Sequence, residues 1–492
     1  MKRSSGILMA ISSLPSKYGI GTFGREAYNF IDFLSESRQS WWQILPLGPT
    51  GYGDSPYQSF SSFAGSPYYI DLDMLIEDGL LSEDEVITLD WGDDPSKVDY
   101  GKLYENRLPL LAKAAERGMA KDREQFDKFI SENKGVADYA LYTAIKKHFG
   151  MKAWLEWPDE DVRYRKAEAL EKYSEQLAHE IEVQEYIQYL FFNQWEALKE
   201  YAHEKGIGII GDIPIYVPLD SADVWSAPSS FLLDEKNVPV EVAGVPPDNF
   251  TEDGQLWGNP LYDYDQMKAD GYSWWINRIA GAAKLYDVIR IDHFRGFESF
   301  WAVPYGSDTA KDGRWVKGPG IELVKTLTNW FHDTRFIAED LGYPSEEVVQ
   351  MLKDSGLPGM KVLEFAFDDP EYDAFCPHKY VNNCICYTGT HDNETLMGWK
   401  AGADPEIVEK CVKYFGLNDE EGFTYGIIRG GMSSVADLFI AQLQDYLELG
   451  SEARMNTPGT AQGNWQWRME PGKTDQELAE KIAAMTVLYG RS

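Results

Sequence analysis

The sequence predicts an α/β fold with a parallel sheet, carried by one elaborated domain. Apolar runs of strand length recur along the chain of 492 residues, without the apolar–polar alternation of half-exposed strands. Such runs are typical of strands buried on both faces, as in parallel sheets. Helical patterns lie between several of them, which favours strand–helix alternation. Three of the runs end in a carboxylate at similar intervals, as expected for successive strands of a barrel.

Seven apolar runs are predicted to be strands. They are residues 7–11, 42–47, 207–215, 288–291, 336–338, 362–367 and 384–387. A further strand is predicted within 436–447, although this stretch also fits a helix. Apolar residues at helical spacing predict helices at 26–37, 274–285, 321–332 and 345–355.

The predicted elements are unevenly spaced, which indicates insertions. About 160 residues separate the second and third strands, far more than a crossover connection needs. We expect one domain over 1–492, with a mainly helical insert at about 51–203 and a loop-rich insert at about 217–272. The segment after Glu452 is too short for a C-terminal β-domain.

Composition and charge argue against several classes of function. A net charge of −34 disfavours binding to nucleic acid, and no apolar stretch reaches membrane length. The run at 6–11 is too short for the core of a signal peptide. Only four cysteines are present, which predicts free thiols and a cytoplasmic location. The aromatic content of 14% fits either a large core or stacking platforms for sugar rings.

The run 288–291 leads into the first candidate carboxylate, Asp292. Residues two apart on a strand face the same side, so Arg290 and Asp292 are expected to point together. A neighbouring guanidinium favours the ionised carboxylate, and an ionised Asp can attack an anomeric carbon. The alternative is a buried structural ion pair.

Two further carboxylates follow apolar runs at intervals of 47 and 53 residues, namely Glu339 and Asp392. Partial burial would raise the pKa of Glu339 and let it act as a general acid, whereas the alternative is a solvated loop residue. Asp392 lies between His391 and Asn393, where it could hold sugar hydroxyls or simply form a turn. Paired carboxylates without a cluster of metal ligands point to glycoside chemistry.

Other chemistries find little support. Asp212 and Glu364 also lie in apolar runs and compete as site residues. Phosphate-loop, zinc-protease and Ser-His-Asp hydrolase motifs are missing from the sequence. No loop has EF-hand spacing, so we expect neither a metal nor an organic cofactor.

An ordered set of short motifs resembles the 4-α-glucanotransferases of the amylomaltase (disproportionating enzyme) family, glycoside hydrolase family 77 of the α-amylase clan. The matching stretches span nearly the whole chain and lie at 51–58, 211–217, 246–248, 254–260, 290–295, 338–342, 389–394 and 451–459. Each stretch alone is weak evidence, but the ordered set is specific.

The resemblance implies a (β/α)8 barrel with inserted subdomains and no C-terminal β-domain. It makes Asp292 the nucleophile, Glu339 the general acid/base and Asp392 the stabiliser of the transition state. It further implies that sugar is bound by Tyr57, Asp212, Arg290, His293, His391, Trp257, Ser55 and Asp248. The loop around Trp257 is expected to cover the acceptor side.

The implied activity is transfer of a 1,4-α-glucan segment to the 4-position of an acceptor, with retention of configuration. The implied partners are α-1,4-glucans and maltooligosaccharides, with glucose as an acceptor, and no nucleic acid or membrane. We expect a monomer or a weak homo-oligomer. Two alternatives stay open from the sequence, an α-amylase-type hydrolase and a non-catalytic glucan-binding protein.

Overall fold

The computed structural model describes residues 2–51, 53–247, 252–342, 345–367, 374–460 and 462–492. The strands are β1 (Ser4–Leu8), β2 (Trp41–Gln43), β3 (Gly208–Ile213), β4 (Glu241–Val245), β5 (Gln255–Pro260), β6 (Val288–Ile291), β7 (Ser299–Pro304), β8 (Arg314–Lys317), β9 (Arg335–Ala338), β10 (Gly359–Val362), β11 (Cys384–Tyr387) and β12 (Leu438–Gln442).

Helices separate and follow these strands. They are α1 (Arg25–Glu36), α2 (Leu72–Glu77), α3 (Glu83–Ile87), α4 (Tyr100–Gly118), α5 (Arg123–Glu132), α6 (Lys134–His148), α7 (Glu160–Arg163), α8 (Ala167–Gln176), α9 (Ala178–Glu204), α10 (Ala222–Ser226), α11 (Tyr264–Ala269), α12 (Ser273–Leu285), α13 (Ile321–Trp330), α14 (Glu346–Ser355), α15 (Leu396–Gly402), α16 (Pro405–Phe415), α17 (Phe423–Ser433), α18 (Leu443–Tyr446) and α19 (Gln476–Leu488).

Eight parallel strands form the central sheet, in the order β10-β11-β12-β1-β2-β3-β6-β9. The two outer strands approach each other, because the Ala338 N–H donates a hydrogen bond of 3.0 Å to the Pro358 carbonyl just before β10. The strands therefore follow one another around a nearly closed ring in chain order. The predicted (β/α)8 barrel is confirmed.

Strand alternation separates an inner from an outer core. Val288 and Ile210 belong to an apolar cluster inside the ring, together with residues from β1, β9, β10, β11 and β12. Ile289 and Ile291 belong instead to the larger core that includes the surrounding helices. Arg290 shares the inward face with Val288, because the two are separated by two positions on β6.

One predicted strand range is corrected, and one ambiguous range is resolved. The run 362–367 is mostly a 3₁₀ turn, Leu363–Ala366, that follows the short strand β10. The run 436–447 contains both predicted elements, since β12 passes directly into α18. The sequence alone leaves both possibilities open, because a short continuous apolar run fits a buried strand and a buried helix equally well.

The range expected to be loop-rich, 217–272, carries regular structure. Strands β4 and β5 lie in it and pair with β7 and β8 in a four-stranded antiparallel sheet. The hairpin between β4 and β5 needs Gly254, which has a φ of +65° and approaches the Val245 carbonyl closely. The glycines and the proline of β4 and β5 interrupt the run of β-forming residues by which strands are recognised in a sequence.

The connection from β2 to β3 contains α2 to α9 and is largely helical. Its longest helix, α9, is joined to an earlier part of the same connection by two buried glutamines. Gln188 exchanges hydrogen bonds with both backbone groups of Gly65, and Gln194 does the same with Asp71. Division of this range into a separate subdomain stays a prediction.

All four cysteines are buried, and none of them forms a disulfide bond within the described residues. Within the described ranges, no helix combines the length and apolar character needed to cross a membrane.

Arg491 ties the two ends of the chain together and should contribute strongly to stability. Its buried guanidinium donates to the carbonyls of Met432, Ser4, Ser434 and Ala436 at 2.7–3.1 Å. We expect Arg491→Met to lower the free energy of unfolding by about 3 kcal/mol, because the four hydrogen bonds of a buried guanidinium are lost. Arg3 still donates to the carbonyls of Met432, Ser434 and Ala436 in this variant. Urea unfolding measures this.

The exposed Arg25, at the start of α1, provides the control for that measurement. Arg25→Met should change the free energy of unfolding by less than about 0.5 kcal/mol. Equal stability of the two variants would contradict the structural role of Arg491.

Candidate active site

The predicted site residues gather at the carboxyl ends of the barrel strands. Asp212 lies near the end of β3, and Asp292 directly follows β6. Glu339 directly follows β9, and Asp392 lies in the turn after β11. This is the end at which active sites of such barrels are built, because the loops after successive strands meet there.

Arg290 joins two of the carboxylates. Its Nη1 lies 2.5 Å from Asp212 Oδ2 and 3.0 Å from Asp292 Oδ1. Its Nε donates to Met360 Sδ at 3.4 Å, so the guanidinium is also held from β10, which lies beyond β9 in the ring. Arg290 and Asp292 therefore point together, as strand parity predicts.

Tyr57 contacts the same cluster through its hydroxyl group and its ring. Its hydroxyl donates to Asp212 Oδ2 at 2.7 Å and lies 3.2 Å from His391 Nδ1. The rings of Tyr57 and His391 stack, with centroids 4.9 Å apart. The other carboxylate oxygen, Asp212 Oδ1, is buried and has no hydrogen-bond partner in the described part of the chain. Buried acceptors of this kind are uncommon and call for an explanation.

Asp392 is held by two side chains. Asn456 Nδ2 donates to its Oδ1 at 2.7 Å, and His391 Nε2 lies 3.4 Å from its Oδ2. Burial opposes ionisation, but His391, Asn456 and Arg290 together hold the pKa of Asp392 well below its usual range. Asp392 is therefore a fixed negative charge at neutral pH.

Glu339 accepts two backbone hydrogen bonds, from the N–H of His293 at 2.8 Å and from that of Leu341 at 2.7 Å. His293 presents its N–H from a left-handed backbone conformation, with a φ of 51°. These bonds favour the charged carboxylate, yet burial and the nearby Asp292 raise the pKa of Glu339 above its usual value. The raised pKa agrees in direction with the sequence prediction.

The pKa of Asp292 differs from the sequence expectation. Burial raises it above its usual value, and Arg290 only limits that rise, while Asp212 and Asp392 add to it. The expectation considered the guanidinium alone. Desolvation and two further carboxylates outweigh one cation here.

A cavity of about 490 Å³ opens beside these groups. Its wall includes Ser55, Tyr57, Trp257, Asp292, Asp392 and Trp465. Trp257, on β5, packs edge-on against the His293 ring with centroids 4.8 Å apart. The antiparallel sheet thus places an aromatic side chain against His293, the residue that follows Asp292.

Some residues were missed by sequence reasoning or lie outside the structure's description. Asp248, one of the predicted sugar-binding residues, lies outside the described residues. Asn456 and Trp465 line the cavity but had no predicted role, because a polar or aromatic residue in a loop carries no periodic signal. Glu364, a competing candidate, is buried beside β11, and burial with nearby Asp445 raises its pKa well above the usual value.

Among the described residues, no group of three or more His, Cys, Asp or Glu side chains is arranged to hold a metal ion. The site consists of four carboxylates (Asp212, Asp292, Glu339 and Asp392), a guanidinium, two imidazoles and aromatic walls.

Comparison with known proteins identifies the family. The family model for 4-alpha-glucanotransferases, glycoside hydrolase family 77, matches residues 9–474. The chain belongs to this family. The predicted family and glucanotransferase function are thereby confirmed, and the chain is a glycosyltransferase acting on α-glucans.

Individual relatives agree with this assignment over their full length. The chain is 49% identical to the 4-alpha-glucanotransferase of Clostridium butyricum, over 98% of this chain and 100% of the relative. It is 48% identical to that of Streptococcus pneumoniae, over 100% and 98% of the two chains. Its structure resembles the amylomaltase of Streptococcus agalactiae in complex with acarbose, with a TM-score of 0.97, 44% identity and complete coverage of both chains.

Proposed function

We propose that the chain moves a 1,4-α-glucan segment to the 4-hydroxyl of an acceptor glucose or glucan by two displacements at one anomeric carbon. Asp292 attacks that carbon while Glu339 protonates the departing oxygen, so the donor bond breaks and an ester to Asp292 forms. Glu339 then takes the proton of the acceptor hydroxyl, which displaces Asp292. Two inversions retain the α configuration.

The observation that carries this proposal is the hydrogen bond between Glu339 and the N–H of His293, the residue after Asp292. It makes the two carboxyl groups neighbours, and the second charge raises the pKa of Glu339, as a general acid needs. We expect a separation of about 5 Å between them, which suits a nucleophile and leaves no room for a water.

The remaining polar groups suit the donor sugar. Asp392, ionised and fixed, would stabilise the positive charge that develops on the sugar in the transition state. The free oxygen of Asp212 would accept a hydrogen bond from a donor hydroxyl, and His391 and Arg290 would hold the neighbouring ones. These groups are aligned before the substrate binds, so little reorganisation is needed.

The aromatic wall suits the acceptor. Transfer requires that a sugar hydroxyl, rather than water, reaches the glycosyl-enzyme. Trp257 and the segment of Ser55 and Tyr57 border the cavity beside Asp292 and would stack on or contact an acceptor ring. Glucose as acceptor, a monomeric or weakly oligomeric state and a cytoplasmic location stay predictions.

Trp257→Ala should lower the ratio of transfer to hydrolysis by about tenfold, equivalent to roughly 1.4 kcal/mol of lost acceptor stacking. Maltotriose is a suitable substrate, because transfer conserves the number of reducing ends while hydrolysis increases it. The product ladder and the reducing ends, followed together, give the ratio.

Trp330→Ala provides the control, since this tryptophan is exposed at the end of α13. It should leave the ratio unchanged. If Trp257→Ala also left the ratio unchanged, Trp257 would have no part in acceptor selection. If the unaltered chain gave only shorter products, the transfer mechanism itself would be wrong.

A further inference from the structure

Arg454, in the segment after β12, joins the two loops that hold Asp392. Its Nη2 donates to the Asp392 carbonyl at 3.0 Å, and its Nε donates to the Asn456 carbonyl at 2.8 Å. Asn456 in turn donates its side-chain amide to the Asp392 carboxylate at 2.7 Å. Arg454 thus fixes the backbone of Asp392 and of the residue that orients its carboxylate.

Glu394 supplies the counter-charge of Arg454. Its Oε2 lies 3.2 Å from Arg454 Nη1, and both side chains are largely shielded, with exposures of 19% and 25%. Its Oε1 accepts the Thr395 N–H at 3.0 Å and lies against Gly398, where an added Cβ would come within 2.5 Å of it. The carboxylate therefore has little freedom to move.

The loop after β11 is also held from the barrel. Gln442, the buried last residue of β12, donates its side-chain amide to the Glu394 carbonyl at 3.0 Å. The Asn393 side chain accepts two hydrogen bonds from Thr390 within the same turn. Arg454 adds two further hydrogen bonds to the same loop, to the Glu394 carboxylate and to the Asp392 carbonyl.

We propose that Arg454, with Glu394 as its counter-ion, is a positioning residue for Asp392 in the transfer reaction. The inference rests on the proposed role of Asp392 and adds a group that does not touch the sugar. A planar guanidinium donates in three fixed directions, here to two carbonyls and one carboxylate. A lysine ammonium lacks that fork and cannot replace it.

The consequence is a loss of rate rather than of affinity. Small displacements of a group that acts on the transition state reduce turnover steeply, and groups that orient such a residue typically contribute 10- to 100-fold. We expect Arg454→Met to lower kcat for maltotriose disproportionation by about 10- to 100-fold, with KM changed by less than about threefold. Glu394→Gln, which keeps an acceptor but loses the charge, should cost about tenfold.

Arg429 offers a matched control. It pairs with Glu421 at 2.7 Å and donates to the Phe415 carbonyl at 2.9 Å, with a similar exposure of 30%, on the outside of the barrel. Arg429→Met should lower the melting temperature by about as much as Arg454→Met while leaving kcat unchanged. If kcat fell equally in both variants, a general structural effect would explain the result and the inference would be overturned.

A double-mutant cycle separates this inference from the proposed role of Asp392. Asp392→Asn alone should abolish most turnover, and adding Arg454→Met to it should change kcat little, because both act through one group. Full activity of Asp392→Asn would refute the role of Asp392. A low activity of Asp392→Asn combined with an unchanged kcat of Arg454→Met, or with additive effects, would refute the role of Arg454.

Arg454→Lys covers the case in which the methionine variant fails to fold. It keeps the charge and a single donor nitrogen, and it should fold with a kcat reduced about tenfold. An unchanged kcat in this variant would also overturn the inference.

Discussion

Asp292→Asn should reduce the turnover of maltotriose by about 10⁴-fold or more, as expected when a covalent nucleophile is removed. The amide is nearly isosteric with the carboxylate but cannot form the ester. Arg290 keeps Asp212 as a partner at 2.5 Å, so the pocket should stay intact. Binding of maltotriose, followed by tryptophan fluorescence, should survive the substitution, because Trp257 and Trp465 line the cavity.

The control lies at the other end of the same strand. Asp287 precedes β6 and accepts the Ile209 N–H at 2.8 Å, far along the strand from the cavity. Asp287→Asn should therefore leave kcat within about twofold of the unaltered chain, apart from a modest loss of stability. Normal turnover of Asp292→Asn would remove it from the mechanism.

Glu339→Gln should lower kcat by about 10³-fold, within the range for loss of a general acid/base. The effect should depend on the leaving group. A donor with a good leaving group, such as α-maltosyl fluoride, needs little protonation and should form the glycosyl-enzyme at a nearly normal rate. The acceptor step should stay slow, because no base then takes the proton of the acceptor hydroxyl.

The pH dependence follows from the same assignments. Activity needs Glu339 protonated and Asp292 ionised, and the pKa of each group is raised above its usual value. The activity should therefore be lost as the pH rises through the pKa of Glu339 and as it falls through that of Asp292. Both apparent pKa values of the pH profile should lie above the usual carboxyl pKa of about 4. Because the two carboxyl groups interact, each apparent value describes the pair and not a single residue. In Glu339→Gln, the limb at high pH should disappear from kcat/KM, and its persistence would contradict the assignment.

The barrel and its carboxylates were predictable because they depend on local patterns. Buried parallel strands are continuous apolar runs in the sequence. Side chains two positions apart on a strand face the same side, which predicts that Arg290 and Asp292 point together. The antiparallel sheet that carries Trp257 was not predictable, since its short strands contain glycine and proline and pair across long distances in the chain.

The electrostatics of the site were only partly predictable for the same reason. The direction of the pKa shift of Asp292 depends on how burial and the charges of Asp212 and Asp392 balance Arg290. That balance is set by the packing of three strands, β3, β6 and β11. The hydrogen bonds that fix Glu339 and Asp392 come from backbone groups and from loop residues such as Asn456, and neither leaves a mark in a single sequence.

The most direct test of the mechanism is to identify the residue that carries the sugar. Glu339→Gln, incubated with α-maltosyl fluoride without an acceptor and quenched with acid, should accumulate a covalent intermediate. In that step the carbon–fluoride bond breaks, fluoride departs, and an ester forms between C1 of the sugar and a carboxylate oxygen. Peptide mass spectrometry should find a maltosyl group on Asp292. A maltosyl group on another residue, such as Asp392, would contradict the account.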